Sequence, residues 1–449
     1  MTRKLTLLIT AAAAALGLAA LGVAGAALSQ GPMIPSATPH ALTPPQLLTL
    51  PTPPSLPNAA QVERGRYMVA AGDCVSCHTR EGGPTLAGGL GMNTPFGTIY
   101  TPNLTSDAAT GIGHWTPDQF YRAMHEGMGR HAPLYPAFPY AYFTHISRAD
   151  SDALLAYLKT TPAVSYTAPG NRLPFPLNIR FMVHGWNLLF FKAGDFQPDN
   201  TKSAQWNRGA YLVGGAGHCA QCHTPTNVLG ANDNKKPFHG GELDNWVAPD
   251  LTANTRTGLG AWTSADIVEY LKTGRNGHAQ AGGPMAEVVS YSTSLMNDAD
   301  LAAVAAYLKD LPASPAANHP ALDTGAMKRG AAVYSDACAS CHLEKGVGQA
   351  RYFPPLAADA VLQQDNPAGL AHLILAGVRT APTTTRPSPL TMPSFAWKLS
   401  DQEIADVSTY IRNSWGNHAA AVNAQQVAKM RKALDLRTIH YTVNSGDHF

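Results

Sequence analysis

"CVSCH", Cys74–His78, returns as "CAQCH", Cys219–His223, and as "CASCH", Cys338–His342. These three pentapeptides hold all six cysteines of the chain, and in each a histidine follows the second cysteine directly. Redox pairs, disulfides or a zinc site would not call for that histidine; covalent attachment of a c-type heme does. Two cysteines three residues apart lie on one side of a helical turn, so both thiols reach one porphyrin edge. The next residue then points its imidazole at the iron. This reading makes Cys74, Cys77, Cys219, Cys222, Cys338 and Cys341 the covalent anchors of three heme c groups. It makes His78, His223 and His342 the proximal iron ligands. Attachment consumes every thiol, so an exported chain with six cysteines needs no disulfide.

Each motif sits in a repeat. "RGRYMVAAGDCVSCHT" from Arg64 parallels "RGAYLVGGAGHCAQCHT" from Arg208, and "RGAAVYSDACASCHL" from Arg329 is a looser third copy. The first two copies share a second block, "TPNLTSDAATGIGHWTPDQF" from Thr101 and "APDLTANTRTGLGAWTSADI" from Ala248. There Thr116 and Thr263 are placed to N-cap a helix. Every copy closes on "RADSDALLAYLKTTP", "NDADLAAVAAYLKDLP" or "LSDQEIADVSTYIRN". Apolar residues recur at three and four, and acids gather at the N-terminal ends, the pattern of amphipathic helices. The expected fold is all-α, with three tandem heme domains at 61–165, 203–313 and 322–416. A domain of about 100 residues has a thin core, so the porphyrin must supply much of its apolar interior. An apolar connector is expected at 166–202 and a C-terminal tail at 417–449. The connector's "NRLPFPLNIRFMVHGWNLLFFKAG", Asn171–Gly194, either packs between the first two heme domains or faces a partner or membrane. The tail's "AVNAQQVAKMRKALDL" reads as a basic surface helix, solvated or touching a partner or lipid headgroups.

The 449 residues suffice for about three domains of ~150 residues. A formal net charge of +2 gives no nucleic-acid footprint. No GxGxxG loop after a strand and no GxSxG motif is present, so organic catalysis by the chain itself is not expected. Residues 1–30 read as a translocation signal: Arg3 and Lys4, then 24 uncharged residues from Leu5 to Leu28. That is enough to span a bilayer at ~20 residues, while "AGA" at Ala24–Ala26 offers a cleavage site. Cleaved signal and retained anchor both stay open. Either places the heme domains on the periplasmic side of the bacterial cytoplasmic membrane, with Arg3 and Lys4 inside. Residues 31–60 form a linker, with nine prolines between Gly31 and Asn58, extended and semi-rigid.

The distal ligands decide the task. Methionine opposite histidine raises the potential and fills both axial positions, which suits electron transfer. Met285 in "GGPMAEVV" and Met392 in "LTMPSF" precede the closing helices of the second and third repeats and are the expected distal ligands there. Aligned on Trp115 and Trp262, the first repeat places Phe138 of "LYPAFPY" opposite Met285, His131 opposite His278 and Met128 opposite Arg275. Phenylalanine cannot ligate iron. Met128 or Met124 from a reshaped loop, a histidine (His131 first, then His125 or His145), or no protein ligand at all remain as answers for the first heme. Trp115 and Trp262 read as core residues, with contact to the hemes as the alternative.

Three CxxCH motifs together with "TPFGTIYTPNLT", "TGIGHW", "LYPAFPYAYF", "WNRGAYLVGGAGHCAQCHTP" and "GGPMAEVV" resemble the triheme cytochrome c subunit of membrane-bound dehydrogenases in acetic acid bacteria and related proteobacteria. The resemblance covers roughly residues 63–415. It implies tandem cytochrome c-like domains that pass electrons from a catalytic dehydrogenase subunit to ubiquinone in the cytoplasmic membrane. In that resemblance, relatives serving alcohol, gluconate or sorbitol dehydrogenases usually carry methionine where Phe138 stands. The phenylalanine version is more similar to cytochromes accompanying molybdenum-type aldehyde or heterocycle dehydrogenases with an iron–sulfur subunit; a quinoprotein or flavoprotein partner is the alternative. A free carrier feeding a terminal oxidase and a heme peroxidase are the rival functions.

Overall fold

The structure is a computed structural model and describes residues 58–315, 319 and 323–436. The expected signal or anchor segment, and nearly all of the linker, lie outside those residues. Among the described residues no helix is long and apolar enough to cross a membrane.

The first repeat runs α1 (Ala59–Ala71), the motif helix α2 (Cys74–His78), α3 (Pro117–Glu126) and the closing helix α4 (Arg148–Leu158). The connector contributes α5 (Val183–Phe190). The second repeat follows as α6 (Ala204–Tyr211), α7 (Ala220–His223), α8 (Ser264–Thr273), α9 (Pro284–Tyr291) and α10 (Asp298–Lys309). The third runs α11 (Thr324–Ala337), α12 (Ala339–His342), α13 (Ala368–Ala376), α14 (Asp401–Ile411) and α15 (Ala424–Ala433). Thr116 and Thr263 both form capping boxes, as their positions before α3 and α8 predict.

In every repeat the opening and closing helices cross, and a glycine makes the crossing. Gly65, Gly209 and Gly330 each follow the arginine that begins the repeat. A Cβ there would collide with the backbone of Ala153, Ala303 or Asp406. The arginine then ties the crossing to an aspartate of the closing helix: Arg64 to Asp150 at 2.6 Å, Arg208 to Asp300 at 2.7 Å, Arg329 to Asp406 at 2.6 Å. Cys219 stands eleven residues after Arg208, whereas Cys74 stands ten after Arg64. A π-helical turn at Leu212–Ala216 absorbs the extra residue, so the motif keeps its place.

Among the described residues the fold is helix-rich, as expected, with three short hairpins added. Antiparallel hairpins join β1 (Gly91–Thr94) to β2 (Gly97–Tyr100), β3 (Gly241–Leu243) to β4 (Trp246–Ala248), and β5 (Val378–Arg379) to β6 (Thr391–Met392). Asp244 and Asn245, between β3 and β4, both take positive φ, as a tight two-residue hairpin turn requires. Strands of two to four residues are too short to show a two-residue period.

The first two repeats do not keep separate cores. Val62, Val69 and Leu155 share one cluster with Leu212, Val213 and Leu301. The third repeat has its own, around Tyr334, Leu370 and Ile404. The tail helix lays one face on the third core and leaves the other exposed. Val427 and Met430 of α15 are buried in the third core, and Arg431 bonds Asp401 and the carbonyls of Ala396 and Leu399. The connector does two things at once. Val183 is buried, Trp186 Nε1 donates to Leu229 O, and Tyr140 donates to Asn187. Phe175, Phe181, Leu188 and Leu189 are 78, 74, 85 and 69% exposed.

Candidate heme centres

The three motif helices carry their cysteines and histidine on one turn, and all six cysteines are unpaired. Burial raises the thiols: Cys74 and Cys219 to about 12, Cys222 and Cys338 to about 11. These four are held protonated, away from disulfide chemistry.

Each histidine is fixed the same way. His78 Nδ1 lies 2.8 Å from Pro102 O, His223 Nδ1 2.7 Å from Pro249 O and His342 Nδ1 3.0 Å from Pro354 O. A carbonyl only accepts, so Nδ1 carries the proton and Nε2 keeps a free lone pair. Burial opposes protonation of all three rings, pushing His78 down to about 4 and lowering His223 and His342. Neutral imidazole with Nδ1 tied back is the form that ligates a metal through Nε2. In the first two repeats a hairpin delivers the proline: β2 leads into Thr101–Pro102 and β4 into Pro249. The histidine's own carbonyl is held by a glycine N–H, from Gly88, Gly240 or Gly348 at 2.7, 2.9 and 3.0 Å. All three glycines take positive φ, which a side chain would strain. The shared Pro in "TPNLT" and "APDLT" was the visible signal for this hydrogen bond; a loop contact across 24 or more residues was not deducible from it. Paired free thiols, an oriented neutral imidazole and a glycine-lined approach fit a covalently bound heme at each motif.

Met285 is the second residue of α9, half-buried with Tyr270, Ala281 and Val289. Met392 lies in β6 opposite Val378, half-buried against the third core. In the first repeat Phe138 is half-buried against the shared core, its ring 5.3 Å from that of Phe143. Met124 is buried inside that core. His125 stacks on Tyr121 and lies 3.1 Å from Asp195, His145 Nδ1 donates to Gly214 O, and His131 is exposed. Met128 is bridged to Pro133, as Arg275 is bridged to Gln280, so the two loops fold alike. Arg275 reaches out to Ser388 of the third repeat. Trp115 and Trp262 pack against the shared core, as core residues do.

The first two repeats exchange side chains reciprocally. Tyr211 of the second donates to Asp150 of the first, and Tyr67 of the first donates to Asp300 of the second, both at 2.5 Å. Each hydroxyl in turn accepts, from Ser147 N and from Asn297 Nδ2. The third repeat has Ala332 at the tyrosine position, and docks differently. Its Arg351 and Arg386 pair with Glu269, Thr380 bridges Gly282, and His372 packs on Trp246. Among the described residues no cluster of His, Cys, Asp and Glu is arranged to hold a bare metal ion.

Fold and site together define a c-type cytochrome with heme bound covalently. The chain belongs to the cytochrome c family, whose model matches residues 62–162, 207–312 and 327–415. It is 43% identical to a nicotinate dehydrogenase subunit of Pseudomonas putida over 376 residues, covering 81% of this chain and 31% of that one. The chain thus spans about a third of that relative. It is 39% identical to the cytochrome c subunit of a quinone alcohol dehydrogenase of Gluconobacter oxydans, over 83% of this chain and 82% of that one. With the gluconate 2-dehydrogenase cytochrome c subunit of Pantoea cypripedii it shares 38%, over 84% and 90%. These relatives bear out the resemblance read from the motifs.

Proposed function

We propose that the chain is the triheme electron-transfer subunit of a membrane dehydrogenase, taking electrons from a catalytic partner subunit and delivering them to ubiquinone on the periplasmic side of the cytoplasmic membrane. The observation that carries this is the threefold recurrence of one motif in one setting: unpaired thiol pair, neutral histidine, proline acceptor. Heme c, when bound, supplies one-electron transfer. The residues that would hold it are Cys74 and Cys77, Cys219 and Cys222, and Cys338 and Cys341 as covalent anchors, with His78, His223 and His342 as the nitrogen ligands and Met285 and Met392 as the sulfur ligands of the last two repeats. In the first repeat, Met128 or His131 was the leading expectation. The exposure of His131, and the alignment of Met128 with Arg275 rather than with Met285, favour the third alternative, with Phe138 closing that side unligated.

The partner is a dehydrogenase of the molybdenum and iron–sulfur type. Support comes from Phe138 and from the similarity to a protein named for oxidation of nicotinate, a nitrogen heterocycle. The exposed apolar edge formed by Phe175, Phe181, Leu188 and Leu189 supports contact with the membrane surface. Purification of the tagged chain from gently solubilised membranes, with assay of the co-purifying cofactor, tests the reading. Molybdenum with iron–sulfur is the expected result; flavin or a quinone cofactor would place the chain with sugar or alcohol dehydrogenases instead. Recovery from the soluble fraction with no partner would make it a free carrier.

A further inference from the structure

The loop before Met285 holds two donors with nothing to bond. Arg275 is 6% exposed; its Nη2 donates to Ser388 O at 2.8 Å, but its buried Nε has no partner. Gln280 faces it across a β-bridge, and its buried Nε2 also has no partner. An unmade hydrogen bond at a buried donor costs about 1–3 kcal/mol, more for a charged one. Two side by side point to a missing acceptor rather than to poor packing.

The surroundings are cationic. Arg386 lies beside Arg275, its Nη1 3.5 Å from Arg275 O. Glu269, the carboxylate of this cluster, is already ion-paired with Arg351 at 2.7 Å and with Arg386 at 3.5 Å. Arg275 is held below its ordinary value by burial and by Arg386. The loop's fold does not demand these donors. The first repeat builds the same bridge from Met128 and Pro133, which offer none. The position is a junction: Gly282 bridges Thr380 and Arg275 bonds Ser388, so the loop leading to Met285 packs on the loop leading to Met392.

We propose that Arg275 and Gln280, with Arg386 beside them, receive a heme propionate at the junction of the second and third repeats. The acceptor required is a carboxylate, and a propionate is the carboxylate that the heme of either loop brings. Arg275 then neutralises a negative charge that would otherwise favour ferric iron, so it holds that heme's reduction potential up. The proposal rests on the reading of the repeats as heme-bearing.

The test is potentiometric titration of the full chain, with heme content counted from the alkaline pyridine spectrum. Arg275→Gln is expected to lower one midpoint and leave the other two in place. Gln280→Leu should lower the same midpoint by less, and Arg275→Lys should keep most of the wild-type value, a rescue that loss of packing would not give. If Arg275→Gln does not fold, Gln280→Leu carries the test alone. Three unchanged midpoints with full heme content, or an equal fall in all three, would overturn the proposal. So would a wild-type midpoint that moves on adding phosphate at constant ionic strength, which would put a solute anion in the site. A chain purified without heme would instead overturn the parent reading.

Discussion

Phe138 is one residue with a separable consequence. In the sequence it aligns with Met285 of the second repeat, and its side chain cannot donate to iron. One of the three reduced hemes is therefore expected to bind carbon monoxide, and Met128→Leu and His131→Ala should leave that spectrum unchanged. Phe138→Met places a thioether where the aligned methionine stands. Its expected effect is loss of carbon monoxide binding and a rise in one midpoint, read by spectroelectrochemistry. Carbon monoxide binding that first appears in Met128→Leu would show that Met128 was the ligand. The substitution itself was visible in the sequence by alignment on two tryptophans. The surroundings of His125 and His145 were not, because they are set by residues far along the chain, Asp195 and Gly214.

Among the elements, the crossed helix pair is the unit, and its glycine is the weak point. A methyl group at Gly330 meets the Asp406 carbonyl, so α11 and α14 must separate. Gly330→Ala is expected to destabilise the third repeat by about 2–3 kcal/mol, measured by chemical denaturation of the heme-loaded chain. A cost under about 0.5 kcal/mol would show that the helices move apart freely. The helices were legible because caps, acids at N-termini and apolar spacing are local signals. Thr116 and Thr263 were predicted as caps and are caps. The hairpins were missed because their pairing is too short to pattern, although Asp244–Asn245 carried the turn chemistry. The packing of one face of α15 was missed for a different reason. Its basic residues suggested an exposed helix, yet Arg431 spends its charge on Asp401 and two carbonyls at the foot of α14.

At the scale of the whole molecule, the first two repeats behave as one body. Burial works to raise Asp300, but the hydrogen bonds from Arg208 and Tyr67 outweigh it, and its carboxyl ends below the ordinary value. A carboxylate depressed in the folded state adds stability above its unfolded value, at about pH 4 and higher. That stability is lost as pH falls through the lower folded value. The junction should therefore loosen only below about pH 4, seen as an unfolding temperature that falls as the pH is lowered from about 4. Tyr67→Phe removes one donor from Asp300 and should cost about 1–2 kcal/mol. The same change at Tyr211 should cost a like amount, since the exchange is reciprocal. The outer surface has its own test. Leu188→Glu with Leu189→Glu, both at exposed positions of α5, should leave heme content unchanged and release the chain from sedimenting lipid vesicles. Retention on the vesicles would assign membrane contact elsewhere.

The sequence by itself determined the chemistry: six cysteines and three histidines in a spacing that only one helical turn can use, repeated three times, with the methionines and the phenylalanine at aligned positions. These are local relations, fixed by residue type and by the period of a helix. Tertiary structure alone decided what the repeats do to one another. The exchange of Tyr67 and Tyr211 and the placing of Arg275 against Ser388 join residues more than 60 positions apart, and the merged core and the seat of α15 likewise join separate elements. Such contacts follow from which surfaces meet once the helices have formed, and no pattern along the chain encodes that meeting.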